Sequence, residues 1–302
     1  MRAASLCAWL VVLAGAAQAD VAFKDQPDTS GTFILDERSE ANCEKASLPG
    51  ASCLAASTVL GPNRRLPNVS GLLWLLGTIG LTGHEHVMVI GDNDQDKAFM
   101  AGLLYLAGQK KITIMVSRLD DLKDADLAPG TTRSKTRQKV FEAPMRDDAI
   151  IVRSELSMAI AANQPLTIVD MRSEAEYWGQ KLRAARGGHI PGAILHSPGD
   201  VPANGSVIII YGHDTVDGLV ALTRLVSKGG SGRVLMDGWG GWAADGTLPV
   251  DAVTFAGWSK TSKASPPTEP DNTRLLIAAG VLVLGAFGAG YFVRWLTTGS
   301  KE

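Results

Sequence analysis

Apolar and polar residues alternate along the middle of the chain in blocks that predict an α/β fold. Apolar runs at 112–116 and 207–211 have the length of buried strands, and the neighbouring segments 98–107 and 219–227 have the spacing of amphipathic helices. Three consecutive isoleucines at 208–210 are typical of a strand buried on both faces. Because strands and helices alternate, we expect mostly parallel sheets covered by helices.

The chain also contains a partial copy of itself, in which four markers recur in the same order. They are the segments 34–41 and 168–175 with the pairs Asp36/Arg38 and Asp170/Arg172, the turns 48–51 and 190–193, the strands that end at Gly91 and Gly212, and the acidic residues Asp96 and Asp217. A repeat of this kind indicates duplicated structural units. We therefore predict two tandem α/β domains, at 20–125 and 149–256, joined by a polar connector at 126–148.

Both ends of the chain carry an apolar segment outside this repeat. Residues 1–19 combine Arg2, a short apolar run and a small-residue cleavage motif, which is the order of a secretory signal peptide. Residues 274–294 form an apolar stretch closed by Arg274 and Arg294, long enough to cross a bilayer as a helix. We therefore expect the folded domains on the periplasmic, extracytoplasmic side of the inner (cytoplasmic) membrane, tethered by a single-pass helix.

The remaining segments and the charge narrow the set of partners. A Pro-rich linker at 257–273 precedes the membrane helix, and a short cytoplasmic tail at 295–302 follows it. The formal net charge of −2 gives no reason to expect nucleic acid as a partner. Gly285 and Ala289 have the spacing of closely packed membrane helices, which leaves a homodimer through this helix open. The expected partners are the membrane and another protein.

Three segments of the second half resemble the C-terminal half of tandem rhodanese-like proteins, the thiosulfate and 3-mercaptopyruvate sulfurtransferases. They are DMR at 170–172 with YWG at 177–179, the turn GHIPGA at 188–193, and MDGWGGW at 236–242. The resemblance implies two tandem rhodanese-like domains with mostly parallel sheets, followed here by the transmembrane helix. The residues that mark this fold are Asp170, Arg172, His189, Pro191 and Gly192.

The resemblance also implies a persulfide-carrying cysteine directly after the strand 207–211, and in this chain that position is Gly212. The degenerate active-site loop then consists of Gly212, His213, Asp214, Thr215, Val216 and Asp217. A thiolate is the nucleophile that sulfur transfer needs, and carboxylates repel an anionic sulfur donor. We therefore predict no catalytic residue and no cofactor, and expect a pseudoenzyme that serves as a binding, assembly or accessory module linked to sulfur metabolism.

Two other functions stay open because Cys43 and Cys53 remain after removal of the signal. In an oxidising compartment these two cysteines are predicted to form a structural disulfide. The first alternative is an active sulfurtransferase or sulfur carrier that uses this pair, or a remodelled loop, to transfer sulfur from thiosulfate or mercaptopyruvate. The second is an accessory factor whose thiol pair is handled by a partner.

Neither the histidines nor the acidic clusters predict a metal site. The spacing of Asp92, Asp94 and Asp96 resembles the start of a calcium loop, but the glycine and glutamate that such a loop needs further on are missing. His84 and His86 have no additional cysteine or histidine nearby. His213 is expected to be an exposed loop residue, and His189 to have a structural role in its turn.

Overall fold

Two parallel β-sheets, one from each half of the chain, form the framework of the protein in a computed structural model. The structure describes residues 20–252, except 28, 62–63, 123–125 and 197–206. All strand pairs within the two sheets are parallel. The predicted α/β class with mostly parallel sheets is therefore confirmed.

The first sheet has the strand order β1-β5-β4-β2-β3-β6. Its strands are β1 (Asp20–Lys24), β2 (Phe33–Asp36), β3 (Ser52–Cys53), β4 (His86–Ile90), β5 (Lys111–Met115) and β6 (Thr131–Thr132). Its helices are α1 (Glu40–Lys45), α2 (Ala56–Val59), α3 (Val69–Thr78) and α4 (Asp94–Ala107), with a short 3-10 helix at Leu119–Asp121.

The second sheet has the order β7-β11-β10-β8-β9. Its strands are β7 (Ile150–Ile151), β8 (Leu166–Asp170), β9 (Ile194–Leu195), β10 (Val207–Tyr211) and β11 (Arg233–Leu235). Its helices are α5 (Arg153–Ala161), α6 (Glu174–Tyr177), α7 (Thr215–Ser227) and α8 (Gly238–Ala244), and a 3-10 turn at Asp147–Ala149 precedes β7. The order β1-β5-β4-β2-β3 matches β7-β11-β10-β8-β9, so the repeated sequence markers lie at equivalent places in the two sheets.

Helices α4 and α7 pack directly against each other and join the two sheets. Gly102 of α4 allows a very close approach, because a Cβ atom there would lie 2.7 Å from both the Leu219 carbonyl oxygen and Thr223 Oγ1. The buried Thr223 hydroxyl donates a hydrogen bond to the Ala98 carbonyl at 2.8 Å. Apolar residues of both helices belong to one continuous core, so the two halves stabilise each other through buried contacts.

The segment predicted to be a connector, 126–148, contributes directly to the packing of the first sheet. It contains β6, which pairs with β3 and forms an edge of that sheet. Phe141 and Ala143 are buried in the shared core. The polar composition of the segment conceals these few apolar anchors, which explains why the sequence indicated only a linker.

The predicted signal peptide at 1–19 and the linker, membrane helix and tail at 257–302 lie outside the described residues. Within the part of the chain that the structure describes, no helix has the length and apolar character needed to cross a membrane.

Candidate functional site

A buried ion pair between Asp170 and Arg172 lies at the carboxyl end of β8. The Arg172 side chain donates from Nε to Asp170 Oδ1 at 3.0 Å and from Nη2 to the Gly188 carbonyl at 2.8 Å. The Tyr211 hydroxyl donates to Asp170 Oδ2 at 2.6 Å, and the guanidinium carbon lies 4.5 Å from the centre of the Trp239 ring. A buried ion pair with its hydrogen bonds satisfied in this way serves to orient the chain. Asp170 and Arg172 therefore hold the 188–193 turn against the sheet.

The first half contains an equivalent ion pair between Asp36 and Arg38, with the small Ser47 in place of Tyr211. Arg38 Nη2 lies 2.8 Å from Asp36 Oδ2 and donates to the Ala46 carbonyl at 2.5 Å. The hydroxyl of Ser47 donates to Asp36 Oδ2 at 2.7 Å, in the role that Tyr211 has in the second half.

His189, Pro191 and Gly192 form the turn that this ion pair holds. The His189 ring stacks on Tyr177 with 3.7 Å between ring centres, and its Nδ1 lies 3.1 Å from the Tyr177 carbonyl oxygen. Gly192 has a φ of 74°, the positive value that a type II turn requires directly after a proline. His189 is buried, so the structure places it in the packing of the turn.

Gly212 follows β10 at the position where the family resemblance implies the catalytic cysteine. It is buried, and a Cβ atom there would overlap the Cβ of Asp217 and lie 2.8 Å from the Asp217 carbonyl carbon and 3.0 Å from the Gly218 nitrogen. Two of these three atoms belong to the backbone of α7. The site therefore lacks the thiol and also the space that its first side-chain atom needs.

The predicted loop 212–217 is wrong in its second half, because α7 begins at Thr215. Asp214 is the N-cap of the helix, and its Oδ1 accepts a hydrogen bond from the Asp217 backbone nitrogen at 3.0 Å. A side chain of this type at an N-cap satisfies a donor that would otherwise be orphaned, and so starts the helix there. Thr215, Val216 and Asp217 are consequently helical, and only three residues separate β10 from α7.

His213 is half-buried, which differs from the exposed position expected for it. Its Nδ1 is buried and has no hydrogen-bond partner among the described residues. Burial, followed by the nearby charge of Arg183, lowers the pKa of His213. Burial and the charge of Asp214 raise the pKa of Asp217.

A cavity of about 280 Å³ lies beside Gly212, at the carboxyl ends of β8 and β10. Its walls include residues from both halves of the chain. They are Gln95, Met171, Arg172, Ser173, Glu176, Arg183, Gly212, Asp217, Val220, Ala221 and Arg224. Gln95 of α4 reaches across and donates from Nε2 to Asp217 Oδ1 at 2.9 Å. The cavity is therefore a feature of the α4–α7 interface and of the second sheet together.

Three charged residues that line this cavity, Glu176, Arg183 and Arg224, were not predicted from the sequence. Glu176 accepts hydrogen bonds from Ser173 Oγ at 2.8 Å and from Arg183 Nη1 at 3.2 Å. Burial by itself raises the pKa of Glu176, but these two partners outweigh it and hold the pKa below its usual range. Arg183 also lies 3.9 Å from Asp217 Oδ2. The one available sequence signal was Arg224, a basic residue near the end of an otherwise apolar helix.

The corresponding place in the first sheet is filled by side chains. A Cβ atom on Gly91 would overlap the carboxyl group of Glu37, which is only 4 % exposed. Burial and the charge of Asp96 raise the pKa of Glu37 to about 7. The buried Lys97 donates from Nζ to the carbonyl oxygen of Met115 at 2.7 Å.

Cys43 of α1 and Cys53 of β3 form a disulfide with 5.8 Å between their Cα atoms. Both residues are buried, and neither lines the cavity beside Gly212. Among the described residues, no group of three or more His, Cys, Asp or Glu side chains is arranged to hold a metal ion. His84 lies 3.9 Å from Glu142 and His86 shares a hydrogen bond with Thr113, so the two histidines have separate partners.

Comparison with known proteins indicates one type of fold. No family model matches the sequence. A protein of Synechococcus elongatus named "Putative thiosulfate sulfurtransferase" is 29% identical over 198 residues, which are 61% of this chain and 61% of that protein. The matched region thus spans less than two thirds of the relative.

Two solved structures are similar to this chain at low sequence identity. The crystal structure named "Probable Thiosulfate Sulfurtransferase" has a TM-score of 0.55 and 23% identity, over 76% of this chain and 100% of that chain. An anaerobic ergothioneine biosynthesis enzyme from Chlorobium limicola, in complex with trimethyl histidine, has a TM-score of 0.57 and 16% identity, over 78% of this chain and 65% of that chain. Identities this low support a shared fold alone.

Proposed function

We propose that this chain, a rhodanese-like protein, has lost sulfur transfer and works as a binding or assembly module with an accessory role in sulfur metabolism. The observation that carries this proposal is that the position of a side chain on Gly212 is already occupied. Asp217 and the first turn of α7 occupy the volume that a cysteine Cβ would need. Function on a common fold depends on the site, and here the site lacks its nucleophile.

The chemistry of sulfur transfer explains why this loss is decisive. A thiolate must attack the outer sulfur of the donor, expel the rest of the donor, and hold the sulfur as a persulfide until an acceptor takes it. No hydroxyl, imidazole or carboxylate near Gly212 replaces a thiolate in this role. Glu176 and Asp217 also line the cavity and offset the charges of Arg183 and Arg224, so the cavity has no surplus of positive charge for a doubly anionic donor such as thiosulfate.

The alternative, a sulfurtransferase that uses Cys43 and Cys53, has less support. The two sulfurs are bonded to each other and buried, so neither is a thiolate that a donor can reach. Both cysteines belong to the first half, outside the cavity. Activity through this pair would need prior reduction and a local opening of α1 and β3.

We further propose that the two sheets are tandem rhodanese-like domains exported across the inner membrane and tethered by the predicted helix at 274–294. The equal strand orders and the repeated ion pairs support the tandem arrangement. The apolar stretches at 1–19 and 274–294 support export and anchoring. Reporter fusions test this topology: a fusion after Glu302 is expected to be cytoplasmic and one near Ser259 periplasmic.

The partner surface is proposed to be the shared acidic edge at the starts of α4 and α7. Asp92, Asp94 and Asp214 lie on this edge, and the Gln95–Asp217 hydrogen bond brings the two helix starts together. A partner with a basic patch fits this surface, and its binding weakens as salt rises.

Photocrosslinking tests this surface. A photoreactive residue at Asp94, which is 80% exposed, is expected to capture the partner. The same group at the exposed Asp126 of the connector serves as the control. Capture at Asp126 alone, unaffected by neutralising the acidic edge, would show that the partner binds elsewhere.

The loss of sulfur transfer has a direct test. The full-length protein is assayed for transfer from thiosulfate and from 3-mercaptopyruvate to cyanide, beside a competent sulfurtransferase, and its intact mass is measured for a sulfur adduct. We expect no turnover above the rate without enzyme and no adduct. Turnover that disappears when Cys43 or Cys53 is replaced would refute the proposal and favour the thiol alternative.

A further inference from the structure

The cavity beside Gly212 has the size of a small-molecule site. Its volume of about 280 Å³ lies just below the usual range of ligand pockets, roughly 300–1,000 Å³. Met171, Val220 and Ala221 contribute apolar surface to its wall beside the charged residues. The cavity therefore admits a ligand of about the size of an amino acid or dipeptide and excludes a folded partner.

The charges on its walls balance. Arg172 is neutralised by its buried pair with Asp170 and offers no net charge to a ligand. The remaining charged residues are two cations, Arg183 and Arg224, and two carboxylates, Glu176 and Asp217. A cavity built for a doubly charged anion would need a surplus of positive charge, and this one has none.

The two cations differ in their partners, because Arg183 has carboxylates beside it and Arg224 has none among the described residues. Arg183 lies between Glu176 and Asp217, at 3.2 Å and 3.9 Å from their nearest oxygens. Arg224 has no hydrogen bond or ion pair from its side chain to any described residue, although it is half-buried and lines the cavity. A guanidinium group in this position is prepared for a carboxylate, which it binds through two parallel hydrogen bonds.

The unpaired cation is separate from the two carboxylates on the cavity wall, since Arg224 forms no ion pair with Glu176 or Asp217. Arg224 follows Asp217 on α7 by two helical turns, which is about 10 Å along the helix axis. The wall of the cavity thus carries one cation without a partner and, separately, two carboxylates that share a single arginine. An elongated ligand with opposite charges at its ends matches this arrangement.

We propose that the cavity binds a small zwitterion, with the ligand's carboxylate on Arg224 and its cationic group at Glu176 and Asp217. This assignment rests on the proposed loss of sulfur transfer, because it concerns the same cavity. It implies that the cavity has become a sensor or carrier site for amino-acid-like molecules, in which the absence of a thiol leaves the ligand chemically unchanged.

Calorimetric titration of the full-length protein tests the proposal with defined probes. The zwitterions are γ-aminobutyrate and diglycine, and the single-charge controls are butyrate and n-butylamine, with thiosulfate as the anionic sulfur donor. We expect at least one zwitterion to bind about tenfold or more tightly than either single-charge control and than thiosulfate. Failure of both zwitterions to bind more tightly than roughly 1 mM would overturn the proposal.

Three variants separate ligand contacts from structural effects. Arg224→Gln is expected to weaken zwitterion binding about tenfold or more and to leave the binding of n-butylamine unchanged. Glu176→Gln is expected to weaken zwitterion binding by a similar factor and to leave the binding of butyrate unchanged. Arg118→Gln, at an exposed position outside the cavity, should change nothing. Equal losses for all probes in both cavity variants would indicate a structural role and contradict the proposal.

The sulfur-transfer assay is run on the same preparation, so the two proposals fail separately. Turnover from thiosulfate would refute the proposed loss of activity, whatever the titrations show. Absence of turnover together with absence of zwitterion binding would leave the loss of activity standing and overturn only the assignment of the ligand.

Discussion

Restoring a side chain at Gly212 is expected to destabilise the protein. In the Gly212→Ala variant, the new Cβ overlaps the Cβ of Asp217 and lies within 3.0 Å of the Asp217 carbonyl carbon and the Gly218 nitrogen. The last two atoms belong to the first turn of α7, so a change of rotamer does not remove the contact. Relief requires that the helix start move away from β10.

The magnitude follows from two opposing effects. Overpacking of a buried site typically destabilises by about 1–3 kcal/mol. Replacing glycine by alanine also restricts the unfolded chain, which stabilises by about 0.4–1 kcal/mol. Since the contacts involve backbone, the first effect dominates, and we expect the free energy of unfolding to fall by about 1–2 kcal/mol.

Equilibrium unfolding in denaturant measures this change, with Gly246→Ala as the matched control. Gly246 is exposed, and a Cβ atom there would have no heavy atom within 4 Å, so the control is expected to stay within about 0.5 kcal/mol of the parent. Asp217→Gly removes the overlapping Cβ, so Gly212→Ala should destabilise less in the Asp217→Gly background than in the parent protein.

The same geometry predicts that Gly212→Cys does not create a sulfurtransferase, because its Cβ enters space already occupied by Asp217 and the first turn of α7. Two results would refute this reasoning. One is a Gly212→Ala variant as stable as the Gly246→Ala control, and the other is a Gly212→Cys variant that turns over thiosulfate.

Three further predictions concern the first half and the joint between the halves. The pKa of Glu37 rises from 4.5 to about 7 on folding, so its contribution makes the free energy of unfolding fall as pH rises through that interval, by at most about 3 kcal/mol. Glu37→Gln should remove this part of the pH dependence in urea unfolding, whereas the exposed Glu44→Gln should retain it, and identical profiles for the two variants would contradict the assignment. Gly102→Ala should lower the unfolding free energy by about 1–3 kcal/mol, because its Cβ would lie 2.7 Å from the Leu219 carbonyl oxygen and from Thr223 Oγ1 of α7. This loss is expected although alanine favours a helix more than glycine does. A stabilised variant in the same denaturant assay would show that the helices separate easily. Cys43 and Cys53 should resist alkylation until reductant is added, and replacing both by alanine should lower the unfolding free energy by about 2–3 kcal/mol for this 10-residue separation, so rapid labelling of the native protein would argue against the bridge.

Local sequence patterns were sufficient to predict the central strands at 112–116 and 207–211 and the repeated sequence markers. The isoleucine run of β10 is buried along its length, as its composition indicates. The pairs Asp36/Arg38 and Asp170/Arg172 recur because a carboxylate and an arginine two residues apart at a strand end form the same buried contact in both sheets. Such features depend on neighbours along the chain, so the sequence reports them directly.

Tertiary packing decided the features that depend on residues far apart in the chain. Gln95 reaches Asp217 only because α4 packs on α7, and the same packing makes both helices walls of one core. Arg183 and Arg224 line the cavity from segments that are far apart in the chain, and neither segment carries a sequence pattern that predicts their proximity. Contacts between residues so far apart in the chain leave no periodic pattern in the sequence.

Gly212 is the clearest example of what the sequence determines and what only the tertiary structure decides. The sequence shows that the thiol is absent, since the residue after β10 is glycine. Only the structure shows that the position is also closed, because the early start of α7 at Thr215 brings Asp217 and the helix backbone into the space of the side chain. Residue identity is a local property, whereas the occupancy of the space around it is set by how the strand and the helix pack.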